Sequence, residues 1–534
     1  MDDKQKDTAV SLLIFAVLYF AAFGLVNTAG ARDMDMLAVF EIDEYAQYPH
    51  LLRMVEPANS IKLSVRNFLV YGHYFYGYPF YFFSGLVLLP FRLFLGIDMA
   101  SFTQWIMLAL RQLINVLPGI AGAFSLTYFT THFRSLWKSL AIFLLMLFLP
   151  ALVLNGFWWH PDGLGLMFVS LTFLVLSLDG LDFGWKFSLA AVTTGVAAGI
   201  KYLGAFFVLT IPAYLIIGII REKIKVKRAT IKGVGFLLIA AVTFVLTNPL
   251  LLLPLERSEL IAAQLSQFSR SLRGELMGRQ PFLENGRLPG WLTSNYGSIP
   301  FLLFLAGSLL WGMFQKRHRL HAILILSYIS PLIIAISVVS LRRTHYYLPI
   351  ILPLIASLSF FLPDRWPKIS ENKLSGLASL LLVLLLAWQG GQFFITDVRY
   401  FDGMLHREER SSSIAFYRSI QEEVFSEEER KTNLTVYRDW HVYFPATGNI
   451  LVFMDWDLAN YGLIEERKPD YLLLERANAE TYGSEEYLAS APDPGRLAPM
   501  HKFYADALHD SVQNYDLFYE NHFGLVFKRN PTQP

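Results

Sequence analysis

The most regular feature of the chain is a succession of long apolar blocks separated by short polar connections. The blocks cover 8–29, 79–96, 105–131, 139–157, 163–178, 187–220, 233–253, 299–315, 320–340, 345–362 and 374–396. A helix needs about 20 mostly apolar residues to cross a bilayer core, so the blocks predict membrane spans. The 187–220 block is long enough for two short helices broken near Lys201-Tyr-Leu-Gly204. After Asp397 the pattern turns charged and mixed, with short alternating segments. This predicts a transmembrane domain over 1–396 and a soluble domain over 397–534.

The soluble tract reads as α/β. Arg410–Val424 has helical spacing behind a Ser-rich start. Asn433–Tyr437, Ile450–Met454, Tyr471–Leu474 and Gly524–Lys528 are short strand candidates between turn residues.

Loop charges orient the spans. The short basic connections His132–Lys138, Arg221–Arg228, Lys316–Arg319 and Asp364–Lys368 should be cytoplasmic. They share one side if 79–96, which holds Pro79, Pro90 and Arg92, lies at or dips into the outer interface without crossing. The expectation is then about eleven spans, a cytoplasmic N-terminus and an extracytoplasmic C-terminal domain. Three outer segments follow. One is long, Gly30 to Tyr78, and one is short, around Trp158–Gly163. The third runs from Pro254 to Ser298 and carries Arg257, Arg270, Arg273, Arg279 and Arg287.

Composition agrees and excludes several classes. A mean hydropathy of +0.39 and 54% hydrophobic residues exceed what soluble domains carry. The net charge of +1 supplies no field for nucleic acid. Without cysteine there are no disulfides, thiolate metal sites or cysteine nucleophiles. Met1–Asp7 lacks a basic n-region, so 8–29 reads as a retained first span. No Walker loop, strand-coupled GxGxxG or HExxH is present. No cofactor is obligatory, and a divalent metal is compatible with the acids described next.

The candidate chemistry lies between the spans. In Phe40-Glu-Ile-Asp-Glu-Tyr-Ala-Gln-Tyr-Pro49, the acids Glu41, Asp43 and Glu44 repel one another, which suits one of them to general-base work. Tyr45, Tyr48 and the ring-rich Tyr71–Pro79 surround them, as a sugar-stacking pocket or an interfacial aromatic belt would. His160-Pro-Asp162 sits between two spans with almost no loop. Ionisable groups so close to a bilayer are costly and point to function, although Asp162 could also cap the next helix. Lys201 and Arg342-Arg-Thr-His-Tyr346 place cations on the side that short loops normally keep free of them. A bound phosphate would explain them, and snorkelling is the competing reading for Lys201. His160, Tyr45 and Tyr346 complete the set as candidate substrate-binding side chains.

Taken in order, these segments resemble the GT-C superfamily of membrane glycosyltransferases, and within it the bacterial and archaeal homologues of protein O-mannosyltransferases and of the lipid A aminoarabinose transferase. Asp43-Glu44 resembles the acidic motif of the first loop, and Leu110-Arg-Gln-Leu-Ile-Asn-Val-Leu-Pro-Gly119 the arginine-led second helix. His160-Pro-Asp162 is similar to the second acidic motif, and Ala198-Gly-Ile-Lys-Tyr202 to the Gly-x-x-Lys-Tyr segment. His345-Tyr-Tyr-Leu-Pro-Ile-Ile-Leu-Pro353 is similar to the late His-Tyr-Leu-Leu-Pro helix. The resemblance implies an inverting transfer of a sugar from a polyprenyl-phosphate donor to a lipid, glycan or protein acceptor hydroxyl. The site would lie outside a bacterial or archaeal plasma membrane. Asp43 would be the base, with its assignment against Glu44 open because Glu41 adds a third acid. Glu44 and Asp162 would orient acceptor or sugar, and Lys201, Arg342, Arg343 and His345 would bind the leaving phosphate. The competing functions are a lipid-linked glycan transporter or flippase and a surface-glycan polymerase or ligase.

Overall fold

The computed structural model of the protein describes residues 2–96, 99–273, 290–339, 342–364, 373–425, 432–456, 458–491 and 493–530. Arg279 and Arg287 lie outside them. Among the described residues, eight helices are long and apolar enough to cross a membrane. The bent pair Gly290–Tyr296 and Ile299–Phe314 makes a ninth if taken as one span, and Leu136–Leu147 and Thr344–Phe360 are shorter apolar helices. The chain is an integral, multi-pass membrane protein with a C-terminal α/β sheet region. Most of these helices share one apolar core, Tyr78–Leu95 packs with the first loop into a second, and many leucines and isoleucines stay exposed around the outside, as lipid-facing positions require.

The first helix, Asp3–Val26, defines two ends of the bundle. At its start the Gln5 amide donates to the His132 carbonyl (2.9 Å). At its finish the Asn27 amide donates to the Gly156 carbonyl (2.9 Å). Twenty-four helical residues separate these ends by roughly 36 Å. His132–Lys138 and Lys316–Arg319 meet at the first end, where Asp364 pairs with both Lys138 and Arg317 at 3.1 Å; Arg365 and Lys368 lie outside the described residues. Every acid of the first loop lies at the opposite end.

Helix Tyr78–Leu95 has the length and hydropathy of a span. Its start is held at the acid-bearing end, where the Gly77 amide donates to the Ile200 carbonyl (3.3 Å). The next helix also begins there, because Gln104 donates to the Thr28 carbonyl (3.3 Å). Residues 96–102 reach ~24 Å at full extension and include a 3₁₀ turn. That is too short to return across a bilayer core of about 30 Å. Midway along the helix Gly85 packs against Phe68 and Val55, so the helix runs beside the first-loop helices.

The long polar segments fold into helices of their own. Residues 30–78 contain Met34–Phe40, Ile42–Val55 and Ile61–Leu69, and Pro254–Arg273 is a further, polar helix. The last long helix, Lys373–Leu405, carries the chain past Asp397. Beyond it lies a five-stranded sheet: β1 (Leu434–Arg438), β2 (Ile450–Phe453), β3 (Tyr471–Glu475), β4 (Tyr515–Glu520) and β5 (Gly524–Arg529), in the order β2-β1-β3-β5-β4. β2, β1 and β3 run parallel, and β5 is antiparallel to both β3 and β4. Tyr471 to Leu474 of β3 are all buried, because apolar clusters cover both faces of the sheet.

Charged contacts fasten this sheet to the first loop. Arg438 of β1 is almost wholly buried and pairs with Asp35 (2.8 Å). The Tyr443 hydroxyl donates to Asp33 (2.8 Å), which also caps helix Met34–Phe40 through the Met36 amide.

Gly77 marks where the loop meets the bundle. A Cβ there would overlap the Gly199 carbonyl oxygen. The substitution Gly77→Ala is expected to cost about 1–3 kcal/mol of stability, read as a lower Tm in detergent. An unchanged Tm would show that the two segments are not in contact.

Candidate active site

The two neighbouring acids of the first loop have opposite surroundings. Asp43 and Glu44 occupy the first turn of helix Ile42–Val55, where the positive end of the helix dipole favours carboxylates. Adjacent helical residues diverge by about 100°. Glu44 therefore turns into the protein and is fully buried, while Asp43 turns toward a cavity and stays about one-third exposed.

Glu44 is held by a fork. Arg111 Nε donates to Glu44 Oε1 (2.8 Å) and Arg111 Nη2 to Glu44 Oε2 (2.5 Å). The Trp159 backbone amide also donates to Oε1 (2.6 Å). Arg111 opens a π-helical turn, Arg111–Val116, and spends its remaining nitrogen on the carbonyls of Asn27 (2.8 Å) and Ala29 (3.1 Å). Oε1 accepts two of these bonds and Oε2 one, and the buried carboxylate does not line the cavity, so it is out of a substrate's reach. Asp43 is different: its closest charged neighbour is Arg343, at 3.8 Å.

Glu41 precedes the same helix and pairs with Arg407 (2.9 Å), which lies just past the last long helix. Arg407 also donates to the Ala29 carbonyl (2.6 Å) and packs over the Phe40 ring. Gly30, at φ +64, leaves it room, since any Cβ there would overlap the guanidinium. Burial pushes the Glu41 carboxyl up to about 7, with Arg407 pulling the other way.

The second acid cluster is assembled from separate helices. Asp162 is buried at the start of Asp162–Asp179. Lys201 sits in extended backbone, where the 187–220 block breaks between helix Trp185–Ile200 and the 3₁₀ turn Tyr202–Phe206. The break lets its ammonium reach Asp162 (2.7 Å) and lie over the Tyr346 ring (4.9 Å). His160 is in close contact with the second Asp162 oxygen, and His345, from the turn Thr344–Tyr347, lies 3.7 Å from it. Trp158 stacks on His160 (4.1 Å), and the Tyr76 hydroxyl bonds its other ring nitrogen (2.8 Å).

His160, Asp162 and His345 offer three ligand atoms within 4.8 Å of one another, a group able to hold a metal ion. Lys201 already gives Asp162 a unit positive charge at hydrogen-bond distance, so the cluster is neutralised without one.

These elements border one cavity of about 1130 Å³. Asp43, His160, Lys201, Arg343, His345 and Tyr346 all line it. Arg342 does not line it and instead donates to the Ser337 carbonyl (3.2 Å). Tyr45 stands behind the wall with its ring 6.0 Å from Trp456. The sheet region contributes Trp440, Trp456 and Arg496 to the lining, so it roofs the cavity.

No family model matches the sequence, and no curated protein matches it. Solved structures do match the fold. ArnT from Cupriavidus metallidurans bound to undecaprenyl phosphate superposes with a TM-score of 0.53 at 10% identity, covering 98% of each chain. ArnT in its apo state gives 0.51 at 13% identity, over 97% of this chain and 98% of that one. An oligosaccharyltransferase from Archaeoglobus fulgidus in the apo form gives 0.52 at 11% identity, over 98% of this chain and 74% of that one. The chain has the GT-C-like fold of these structures. At such identities the GT-C likeness speaks for architecture, and the chemistry must come from the residues themselves.

Several participants carry no local sequence signal. Arg407 lies in an ordinary charged run, Trp440 and Trp456 lie in loops of the sheet region, and Tyr76 is one ring among many.

Two outcomes follow. Arg111→Ala strands a buried carboxylate and should cost about 3–5 kcal/mol. Thermal unfolding measures it, and a wild-type Tm would contradict the pairing. The raised Glu41 carboxyl favours the folded state while protonated. That contribution is complete below pH 4.5 and lost as pH rises through about 7. The pH-dependent fall in Tm across this window should flatten in Glu41→Gln, and an undiminished fall would place its source elsewhere.

Proposed function

We propose that the protein is an inverting glycosyltransferase that moves a sugar from a polyprenyl-phosphate donor to an acceptor hydroxyl at the extracytoplasmic face. The observation that carries this reading is Asp43, whose ion-pair partner among the described residues is Arg343 at 3.8 Å, sharing one cavity with Lys201, Arg343 and His345. ArnT, whose fold this chain shares, is a structure bound to undecaprenyl phosphate, which supports a lipid-phosphate donor.

In this reading the Asp43 carboxylate accepts the proton of the acceptor hydroxyl as its oxygen attacks the anomeric carbon. The bond from that carbon to the phosphate oxygen breaks, and its electron pair leaves with the phosphate. One displacement inverts the anomeric configuration. A phosphate leaving group needs no acid to protonate it, only cations placed where its charge develops. In this reading Lys201 and Arg343 supply that charge and His345 offers a ring N–H, while Arg342 lies outside the lining and donates to the Ser337 carbonyl. Asp162 holds Lys201 and the two histidines in position, and His160 and Tyr346 face the sugar. Glu44 keeps helix Ile42–Val55, and with it Asp43, in register. The basic connections at the far end mark the cytoplasmic side, which puts the cavity and the sheet region outside.

Asp43→Asn should lower kcat by at least about 10²-fold while leaving retention of radiolabelled polyprenyl phosphate intact. Lys201→Ala should abolish that retention. Full transfer activity in Asp43→Asn would remove it as the base. Transfer is expected to survive chelation, because Lys201 supplies the charge at Asp162; loss on chelation with recovery on adding a divalent ion would show a metal in the cluster.

A further inference from the structure

The roof of the cavity contains two tryptophans that the transfer chemistry does not use. Trp456 borders the cavity and is 51% exposed. Its ring lies 6.1 Å from Trp440 and 6.0 Å from Tyr45. The Trp440 indole N–H donates to the Asp455 carbonyl, which fixes that ring's orientation. Trp456 and Trp440 line the cavity side by side, and Tyr45, two residues from Asp43 on the same helix, packs against Trp456 from outside the lining. Tyr482 and Tyr487 of the sheet region also line the cavity, and the half-exposed indole of Trp456 is available to a ligand.

A polar wall contributes to the same cavity. Gln264 and Gln267 of helix Pro254–Arg273 line it. Gln264 is spent on the Tyr74 carbonyl (2.6 Å). The Gln267 side-chain oxygen is buried and accepts no hydrogen bond among the described residues. A buried acceptor without a partner costs free energy unless a ligand satisfies it.

We infer that the acceptor is itself a saccharide, seated with one ring face on Trp456 and Trp440 and with a hydroxyl donating to Gln267. This rests on the transferase reading above and names the acceptor class within it. A pyranose presents C–H groups on its faces and O–H groups around its rim, which matches an aromatic platform bordered by an amide acceptor. An acyl chain would leave Gln267, Asp493 and Arg496 facing hydrocarbon. Neither edge strand, β2 nor β4, lines the cavity, so a peptide could not dock there by strand pairing. Trp456 faces the same space as Asp43, so a saccharide stacked on it brings its next hydroxyl toward the base.

The test uses the full-length protein in detergent on an array of diverse saccharides, with a peptide array and radiolabelled polyprenyl phosphate as separate probes. The wild type is expected to retain a defined set of saccharides. Trp456→Ala and Gln267→Ala should each weaken that retention at least tenfold, Trp456→Phe should restore part of it, and all three should retain polyprenyl phosphate as the wild type does. Circular dichroism and an unchanged Tm establish that the variants fold. Retention of no saccharide, retention unchanged in Trp456→Ala, or a preference for peptides overturns the inference. Failure of the wild type to retain polyprenyl phosphate strikes the transferase reading instead, whatever the saccharide result.

Discussion

The buried ion pair between Glu44 and Arg111 is the constraint on which the rest of the site depends. Two charges with no exposure to water persist only when every donor and acceptor is matched. Here the carboxylate takes a two-pronged fork and the Trp159 amide, while the guanidinium also closes the carbonyls of Asn27 and Ala29. One interaction thus ties together the end of the first span, the start of the first-loop helix, the second long helical segment and the turn before Asp162. Because Glu44 must point inward, its neighbour Asp43 must point elsewhere, and the helical angle between them aims it into the cavity. The proposed base is positioned by the acid beside it.

A second set of contacts closes the cavity from above. Arg407 and Arg438 reach Glu41 and Asp35, so charges of the chain's last third hold the acids of its first loop. The lid is therefore coupled to the helix that carries Asp43 through ion pairs, which respond to pH and salt more than an apolar interface would. Glu41, with its carboxyl near neutrality, is the most sensitive of these links.

How much of this was legible in the sequence depended on whether the signal was local. The apolar blocks, the break at Lys201 and strands β1, β2, β3 and β5 follow from periodicity and turn residues. β4, Tyr515-Asp-Leu-Phe-Tyr-Glu520, was missed because it is a half-exposed edge strand with no apolar run. The Pro254 segment read as a loop because its helix is polar, lying at the cavity instead of in lipid. Choosing between Asp43 and Glu44 was beyond the sequence. Both are acids in the same turn, and only the arrival of Arg111 from a distant helix distinguishes them. The tryptophan wall has the same character, since it exists only once the sheet region folds over the first loop.

The central claim is that the acid-bearing end of the bundle is a phosphate site. A cryo-EM structure of the protein with polyprenyl phosphate tests it most directly. The account predicts phosphate density within ~4 Å of Lys201 Nζ and the Arg343 guanidinium, with Asp43 across the cavity from it. Phosphate bound at the opposite end, among Lys138, Arg317 and their neighbours, would contradict it.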